Sequence, residues 1–488
     1  MSVSFNDIPS TIRVPLVYIE FDNSRAVSGT PAVMHKILVL GQKLAAGSAA
    51  AAVPVRITSA DQAGSLFGRG SMLHEMFVAL KAANRYTETW SIPLEDNVAG
   101  VAASGTIAFT GVASASGAVN LYVGGIKVVA GVASGDTATI TAAALAAAIN
   151  AKTDLPVTAS AALGTVTLTA RHKGEVGNGI DLRLNYYQGE VLPTGVAAVI
   201  TAMASGATNP DLATALAAFG QEWWNSIVMP YTDGANLAKL KGELDLRWGP
   251  TKMMDGIAYA AFRGTHAATG TFGSGLNTQH LSVMGCGIAP TAPHVLASVY
   301  AAVAAASLSI DPARPLQTLP LPGVLAPALA ARWTMEERNL LLFDGISTAM
   351  IGPDGTVMIE RAITTYQVNA FGVSDPSYLD VNTPATLSYI RYATRARITQ
   401  KFPRHKLADD GTRFSPGQAI VTPKTIKAEL MALFRELELA GLVEDFSQYK
   451  ADLIVERNAN DRNRLDVLSS PNLINQFRVF AEQIQFIV

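Results

Sequence analysis

Three side chains have the types and the chain order that nucleophilic hydrolysis needs: Asp233 in Thr232-Asp233-Gly234, His266 in Arg263-Gly264-Thr265-His266-Ala267-Ala268-Thr269-Gly270, and Ser347 in Gly345-Ile346-Ser347-Thr348-Ala349-Met350. A serine attacks when a histidine takes its proton, a carboxylate orients that histidine, and fixed donors hold the oxyanion. The oxyanion term is usually the largest, and its local signature is missing. Ile346 and Thr348 flank the serine, and Pro353-Asp354-Gly355 reads as a hairpin turn, so nothing local marks an exposed hydroxyl or an oxyanion donor beside it. The expectation is a parallel-sheet scaffold without chemistry, and no catalytic residue is assigned.

Other chemistry is equally sparse. Gly68-Arg69-Gly70 and Gly273-Ser274-Gly275 lack the Lys-Ser/Thr or strand-to-helix context of a phosphate loop. The seven histidines are scattered with no helical pair, so no metal site is expected, and dispersed carboxylates nominate no acid and base. No cofactor is expected. The single cysteine, Cys286, excludes an intramolecular disulfide and reads as a small buried apolar residue between Gly285 and Gly287. With 37 basic and 39 acidic residues the net charge is -2, so no global field recruits nucleic acid or an anionic membrane. One basic stretch stands out, through Arg391, Arg395, Arg397, Lys401, Arg404, Lys406 and Arg413. It reads as a solvated helix face or as a contact to an acidic protein surface.

The elements around these residues form several domains. At 488 residues and 49% hydrophobic the chain can fill roughly three cores. Residues 36–41 read as a buried strand and 72–83 as a helix with Leu73, Phe77 and Leu80 on one face. The alternation resumes later, with helices at 211–224, 235–246 and 293–307 and strands at 226–229, 256–262 and 281–285. This predicts a parallel sheet covered on both faces, assembled from 25–97 and 206–369 as one discontinuous α/β core. The nearly uncharged stretch 285–310 approaches the length of a membrane span, but its prolines and small residues favour a buried helix. Residues 98–205 read as an inserted β-rich outer domain. Strands are expected at 105–110, 118–123, 126–129, 157–160, 165–170 and 180–186, with a Gly124-Gly125 hairpin turn and a helix capped by Asp136 or Thr137. A C-terminal α+β inner domain follows over 370–470. Its helices begin at Thr383-Pro384 and Thr422-Pro423, and strands are expected at 451–457 and 464–468.

Both ends are long apolar extended arms, 1–24 and 471–488. Val14, Leu16, Val17, Tyr18 and Ile19 at one end, and Phe480, Ile484, Phe486 and Val488 at the other, have the composition of strands. Termini are normally polar and frayed unless tied down, and an unpaired apolar strand edge invites association. The expectation is that these arms pair with other copies. The N-terminus lacks the charged-then-apolar layout of a secretory signal, consistent with synthesis in a cytoplasm.

Several segments together carry a family resemblance: Ser4-Phe5-Asn6-Asp7-Ile8-Pro9 with Ile12-Arg13-Val14-Pro15, Gly345-Ile346-Ser347, Ile363-Thr364-Thr365-Tyr366-Gln367, and Asp375-Pro376-Ser377-Tyr378-Leu379-Asp380-Val381-Asn382-Thr383. Phe402-Pro403-Arg404-His405-Lys406-Leu407, Ile420-Val421-Thr422-Pro423-Lys424, Ala451-Asp452-Leu453-Ile454-Val455-Glu456-Arg457 and the closing 477–488 complete it. The chain resembles the contractile tail sheath proteins of Mu-like phages. The resemblance implies a virion subunit made in the host cytoplasm that stacks as sixfold rings around a tail tube and meets baseplate and tail terminator proteins. It implies no nucleic-acid partner and no membrane insertion. It also implies a core similar to the subtilisin-like fold, whose histidine segment resembles Arg263 to Gly270, without that activity. Within this picture Arg391, Arg395, Arg397 and Lys401 are expected to contact the tube. The alternatives are a subtilisin-like hydrolase and a non-contractile virion shell or adhesin.

Overall fold

The computed structural model describes residues 13–15, 17–19, 33–415 and 417–488, and they fall into two compact units, Met34–Ala385 and a second made of Met1–Val33 with Thr386–Val488. Leu16 of the N-terminal arm lies outside the described residues.

The first unit is organised by a six-stranded sheet in the order Leu281–Gly287, Ile257–Arg263, Ser226–Val228, Lys36–Gln42, Glu88–Leu94, Val55–Ile57. Five strands run parallel and Val55–Ile57 is an antiparallel edge. Ile37, Leu38, Val39 and Leu40 are all fully buried, because a central parallel strand is covered on both faces and must be apolar at successive positions. The Met72–Ala83 helix is capped by the Ser71 side chain and buries Leu73, Met76, Phe77 and Leu80. Helix Pro293–Ile310 has the length and apolarity of a membrane span, but 61% of its apolar window is buried inside the unit, as a core helix requires.

Several features of this unit differ from the sequence pattern. Helix 211–224 shrinks to Ala213–Ala217. Gly220 takes a left-handed φ of 56° and turns the chain, and Trp224 follows it into the core with its indole donating to the Phe219 carbonyl. Strands Val55–Ile57 and Glu88–Leu94 and helix Ala60–Phe67 also come without forewarning, because short elements carry few periods of pattern.

Residues 98–205 build a body with its own hydrophobic core, which includes Ile107, Phe109, Leu121, Leu145 and Leu168. One antiparallel sheet has the order Val196–Ala204, Ala102–Gly111, Thr165–Lys173, Val157–Ala162, and a second has Ile126–Val132, Gly117–Val123, Leu182–Leu184. Gly124 and Gly125, at φ 57° and 87°, make the expected hairpin turn. Of the two candidate caps, Thr137 caps helix Ala138–Ala151. Val196–Ala204, unforeseen, returns beside Ala102–Gly111, so the insert leaves and re-enters the core at one place. Two polar joints hold it there. Asp96 accepts from Gln42, His172 and the Lys173 amide, and Asp181 pairs with Arg183 and with Arg263 of the core sheet.

In the second unit, Pro423–Leu439 begins with the Thr422 cap and Pro423 in its first turn, and Gly441 at φ 70° stops the chain just beyond it. The strand expected over 451–457 is shorter, Ile454–Arg457, because 446–452 closes a helix, Phe446–Asp452, capped by Asp445. Phe434 and Tyr449 stack at 4.0 Å and bind the two helices together. Ile454–Arg457 pairs antiparallel with Leu465–Leu468.

Candidate assembly surfaces

The hydrolytic trio dissolves in the fold. Ser347 is fully buried beside the edge strand, where its hydroxyl accepts from the Ile363 amide at 2.9 Å and lies 3.0 Å from the Ile363 carbonyl. Ser282 and Tyr300 complete this closed network at 3.1 and 3.3 Å, and burial pushes the Tyr300 phenol up to about 12. His266 lies in the first turn of helix His266–Ser274 with its Nε2 at 2.9 Å from the Glu337 carbonyl. Asp233 caps helix Gly234–Trp248 through the Asn236 amide and accepts from Asn209. Each side chain is held by partners outside the trio, so the serine is a structural clamp. Burial pushes the Cys286 thiol up to about 12, and its sulfur lies 2.9 Å from the Phe262 carbonyl, which makes it a poor nucleophile.

The arms present the opposite arrangement. Residues 479–488 carry no helix or strand and are exposed throughout. Phe480, Ile484, Phe486 and Val488 all fall at even positions, so in an extended chain they share one face. Val14, Val17, Tyr18 and Ile19 at the other end are exposed as well.

The same unit holds a surface matched to such arms. A cleft of about 300 Å³ opens between the two long helices and the hairpin, lined by Ile390, Ile398, Leu430, Phe434, Leu465 and Val467 among others. Beside it the hairpin has only two strands, so each strand has an unpaired outer edge among the described residues. Sequence reasoning missed this cleft, since its walls come from segments about 80 residues apart.

The basic helix, Asn382–Lys401, divides its charges. Arg397 is buried and ion-paired to Glu429 at 2.9 Å and to Glu436, while Lys401 reaches Glu429 at 2.6 Å. Burial alone would raise the Glu429 carboxyl, but hydrogen bonds from Lys401 and Arg397 hold it below the usual carboxylate range. Arg397 therefore staples the two long helices together. Arg395 is exposed and Arg391 half-buried. Among the described residues no group of His, Cys, Asp and Glu could hold a metal ion.

Comparison with known proteins decides what such a molecule is. The Mu-like prophage FluMu tail sheath protein of Haemophilus influenzae is 53% identical over 488 residues, covering the whole of both chains. This chain belongs to the phage tail sheath family. Family models agree, the phage tail sheath protein central domain matching residues 205–365 and the phage tail sheath C-terminal domain residues 373–487. The sheath-family chain is thus a structural component of a phage tail and not an enzyme. Solved structures similar to it include the sheath tail protein of Desulfitobacterium hafniense, at 14% identity and TM-score 0.48, with 94% of this chain and 100% of that one covered. Another is the contracted sheath complex of an extracellular contractile injection system, at 13% identity and TM-score 0.47, covering 98% and 99%.

Proposed function

We propose that this chain is the repeating subunit of a contractile tail sheath. Copies stack as sixfold rings around a tail tube between baseplate and tail terminator proteins, and shortening of the sleeve drives the tube through the host envelope. The observation that carries the reading is the exposed, largely apolar arm 479–488, with Val479 and Ile487 on one face and Phe480, Ile484, Phe486 and Val488 on the other, in a unit that also offers a strand-sized apolar cleft beside open hairpin edges. An arm given to the next copy binds by main-chain hydrogen bonds while its alternate side chains fill the cleft. At about 3.3 Å per residue, some 15 residues span on the order of 50 Å, enough to reach a neighbour. The N-terminal segment around Val14 to Ile19 acts in the same way.

Paired strands stay bonded while the linkers behind them bend, so rigid units swing without separating. The extended sleeve is a kinetically trapped state, and contraction releases free energy by burying more surface between copies. The helix bearing Arg391, Arg395 and Lys401 faces the tube, whereas Arg397, expected there as well, is buried and instead fixes that helix to its neighbour through Glu429 and Glu436. The core is a subtilisin-like scaffold without its chemistry, and the protein is made and assembled in the bacterial cytoplasm. Electron microscopy of the chain expressed alone and with its tube protein tests the reading: hollow sleeves of two diameters are expected. Soluble monomers under all conditions, or closed shells, would refute it.

A further inference from the structure

We propose that copies of this chain also join by a knob and a socket, with Phe371 of one copy entering the cleft beside Cys286 and Trp333 of the next. The proposal rests on the sheath reading for its need of a repeating contact, and it uses residues separate from the arms.

The knob is a tight hairpin over 367–375. Val368 and Ser374 bridge antiparallel, Asn369 Oδ1 accepts from the Phe371 and Val373 amides at 2.9 and 3.2 Å, and Gly372 turns at φ 73°. Its base is fastened to the loop before the edge strand: Asn277 accepts from the Gln367 amide at 2.8 Å and donates to the Val368 carbonyl at 2.9 Å. Singly exposed apolar residues are common on protein surfaces. Phe371 differs in that a closed hydrogen-bond frame holds it outward while it is 91% exposed.

The socket is a cleft of about 250 Å³ with an apolar floor that includes Cys286, Val324, Trp333 and Met350, and with Arg332 and Arg338 in its wall. A dry cavity of about 150 Å³ already accepts a benzene ring, so a phenyl group has room, and Trp333 offers it an aromatic contact. Charge agrees as well. Arg332, in the socket wall, donates to the Pro327 carbonyl and has no carboxylate partner among the described residues. At the foot of the knob, Asp375 accepts from the Tyr366 hydroxyl at 2.7 Å and from Ser377, and has no cationic partner among the described residues. Each supplies the charge that the other lacks.

Position decides how the two can meet. The Thr365 amide donates to the carbonyl of Leu281, the first residue of the edge strand, and the knob follows directly, whereas the socket surrounds the last residues of that strand. Seven residues at about 3.3 Å each separate the two by roughly 20 Å, so a copy cannot fill its own socket. Complementary patches at separate places on one body make a head-to-tail contact, which closes into rings or continues as a helix.

The test places photoreactive benzoylphenylalanine at position 371 of the full-length chain and maps intermolecular cross-links by mass spectrometry, in assembled and in concentrated unassembled samples. Cross-links to peptides containing Val324, Trp333 or Met350 are expected; cross-links elsewhere, or none, overturn the knob. Phe371→Ala should raise the concentration needed for assembly roughly 30-fold, the effect of losing one central interface aromatic. Its melting temperature should stay unchanged because the residue is solvated. Asp375→Arg should weaken assembly and Arg332→Asp in the same chain should restore it; failure of that rescue counts against the charge pairing. Sleeves without the position-371 cross-link would remove the knob and leave the sheath reading. The cross-link without sleeves would remove the sheath reading and leave the knob.

Discussion

Phe486→Ala, compared with Gln485→Ala, isolates the role of the C-terminal arm. The two residues are adjacent, so in an extended strand they point to opposite faces, and only Phe486 belongs to the apolar face shared with Phe480, Ile484 and Val488. Phe486 is 81% exposed in the isolated chain, so about four-fifths of its surface remains to be buried by a partner. Full burial of such a side chain stabilises by about 1.5–3 kcal/mol, and truncation to alanine should remove about 2 kcal/mol per contact. That is roughly 30-fold in a pairwise dissociation constant. Sedimentation across a dilution series should show sleeves of Phe486→Ala dispersing at about 30-fold higher concentration than wild type, with Gln485→Ala near wild type. The melting temperature of the unassembled chain should not move for either variant. Equal effects of the two substitutions, or a fall of several degrees in the unassembled Phe486→Ala chain, would refute the reasoning, because the arm would then pack on its own body.

Ser347→Ala should destabilise the chain by about 1–3 kcal/mol in urea titration, because it leaves the Ile363 amide without its acceptor in a buried network; fluorophosphonate should label neither wild type nor variant, and a labelled Ser347 would revive the hydrolase alternative. Burial holds the His280 imidazole neutral, lowering its pKa from 6.5 to about 4, and His35 is lowered in the same way. The unfolded chain therefore takes up protons first, so the stability that His280 contributes is present above pH 6.5 and is lost as pH falls from 6.5 toward 4, by up to about 3 kcal/mol. Urea titrations between pH 7 and 4.5 should show that slope, and His280→Gln should flatten it; an unchanged slope would contradict the assignment. Arg397→Met should cost about 3 kcal/mol, since Glu429 keeps only Lys401 and Glu436 loses its cation from the facing helix. A loss under 0.5 kcal/mol in thermal unfolding would place Arg397 outside the fold's support.

Much of the architecture is visible in the sequence wherever one rule acts alone. The run Ile37-Leu38-Val39-Leu40 can only be a covered strand, and 72–83 carries a cap and a full apolar stripe. The strand Val196–Ala204 escapes notice because Ala, Thr and Val alternate too weakly to mark an inner face, and pairing with Ala102–Gly111, nearly a hundred residues earlier, is what holds it. Helix 211–224 fails because its apolar spacing continues past Gly220 into a turn that only tertiary packing reveals. The exposed arms are legible because composition alone makes them anomalous. The inward pairing of Arg397 is not, since Glu429 and Glu436 lie on another helix and nothing local ties them to it. The Phe371 knob does leave a trace in Asn369-Ala370-Phe371-Gly372, a turn sequence with an aromatic at its tip.

The most direct test of strand exchange is a density map of the assembled extended sleeve at a resolution that traces side chains. Residues 480–488, and 14–19 with them, should run as added strands against the Ile454–Arg457 and Leu465–Leu468 hairpin of adjoining copies, with Phe480, Ile484 and Phe486 in the cleft beside Leu430 and Phe434. A map in which every arm lies folded on the body that carries it would contradict the account.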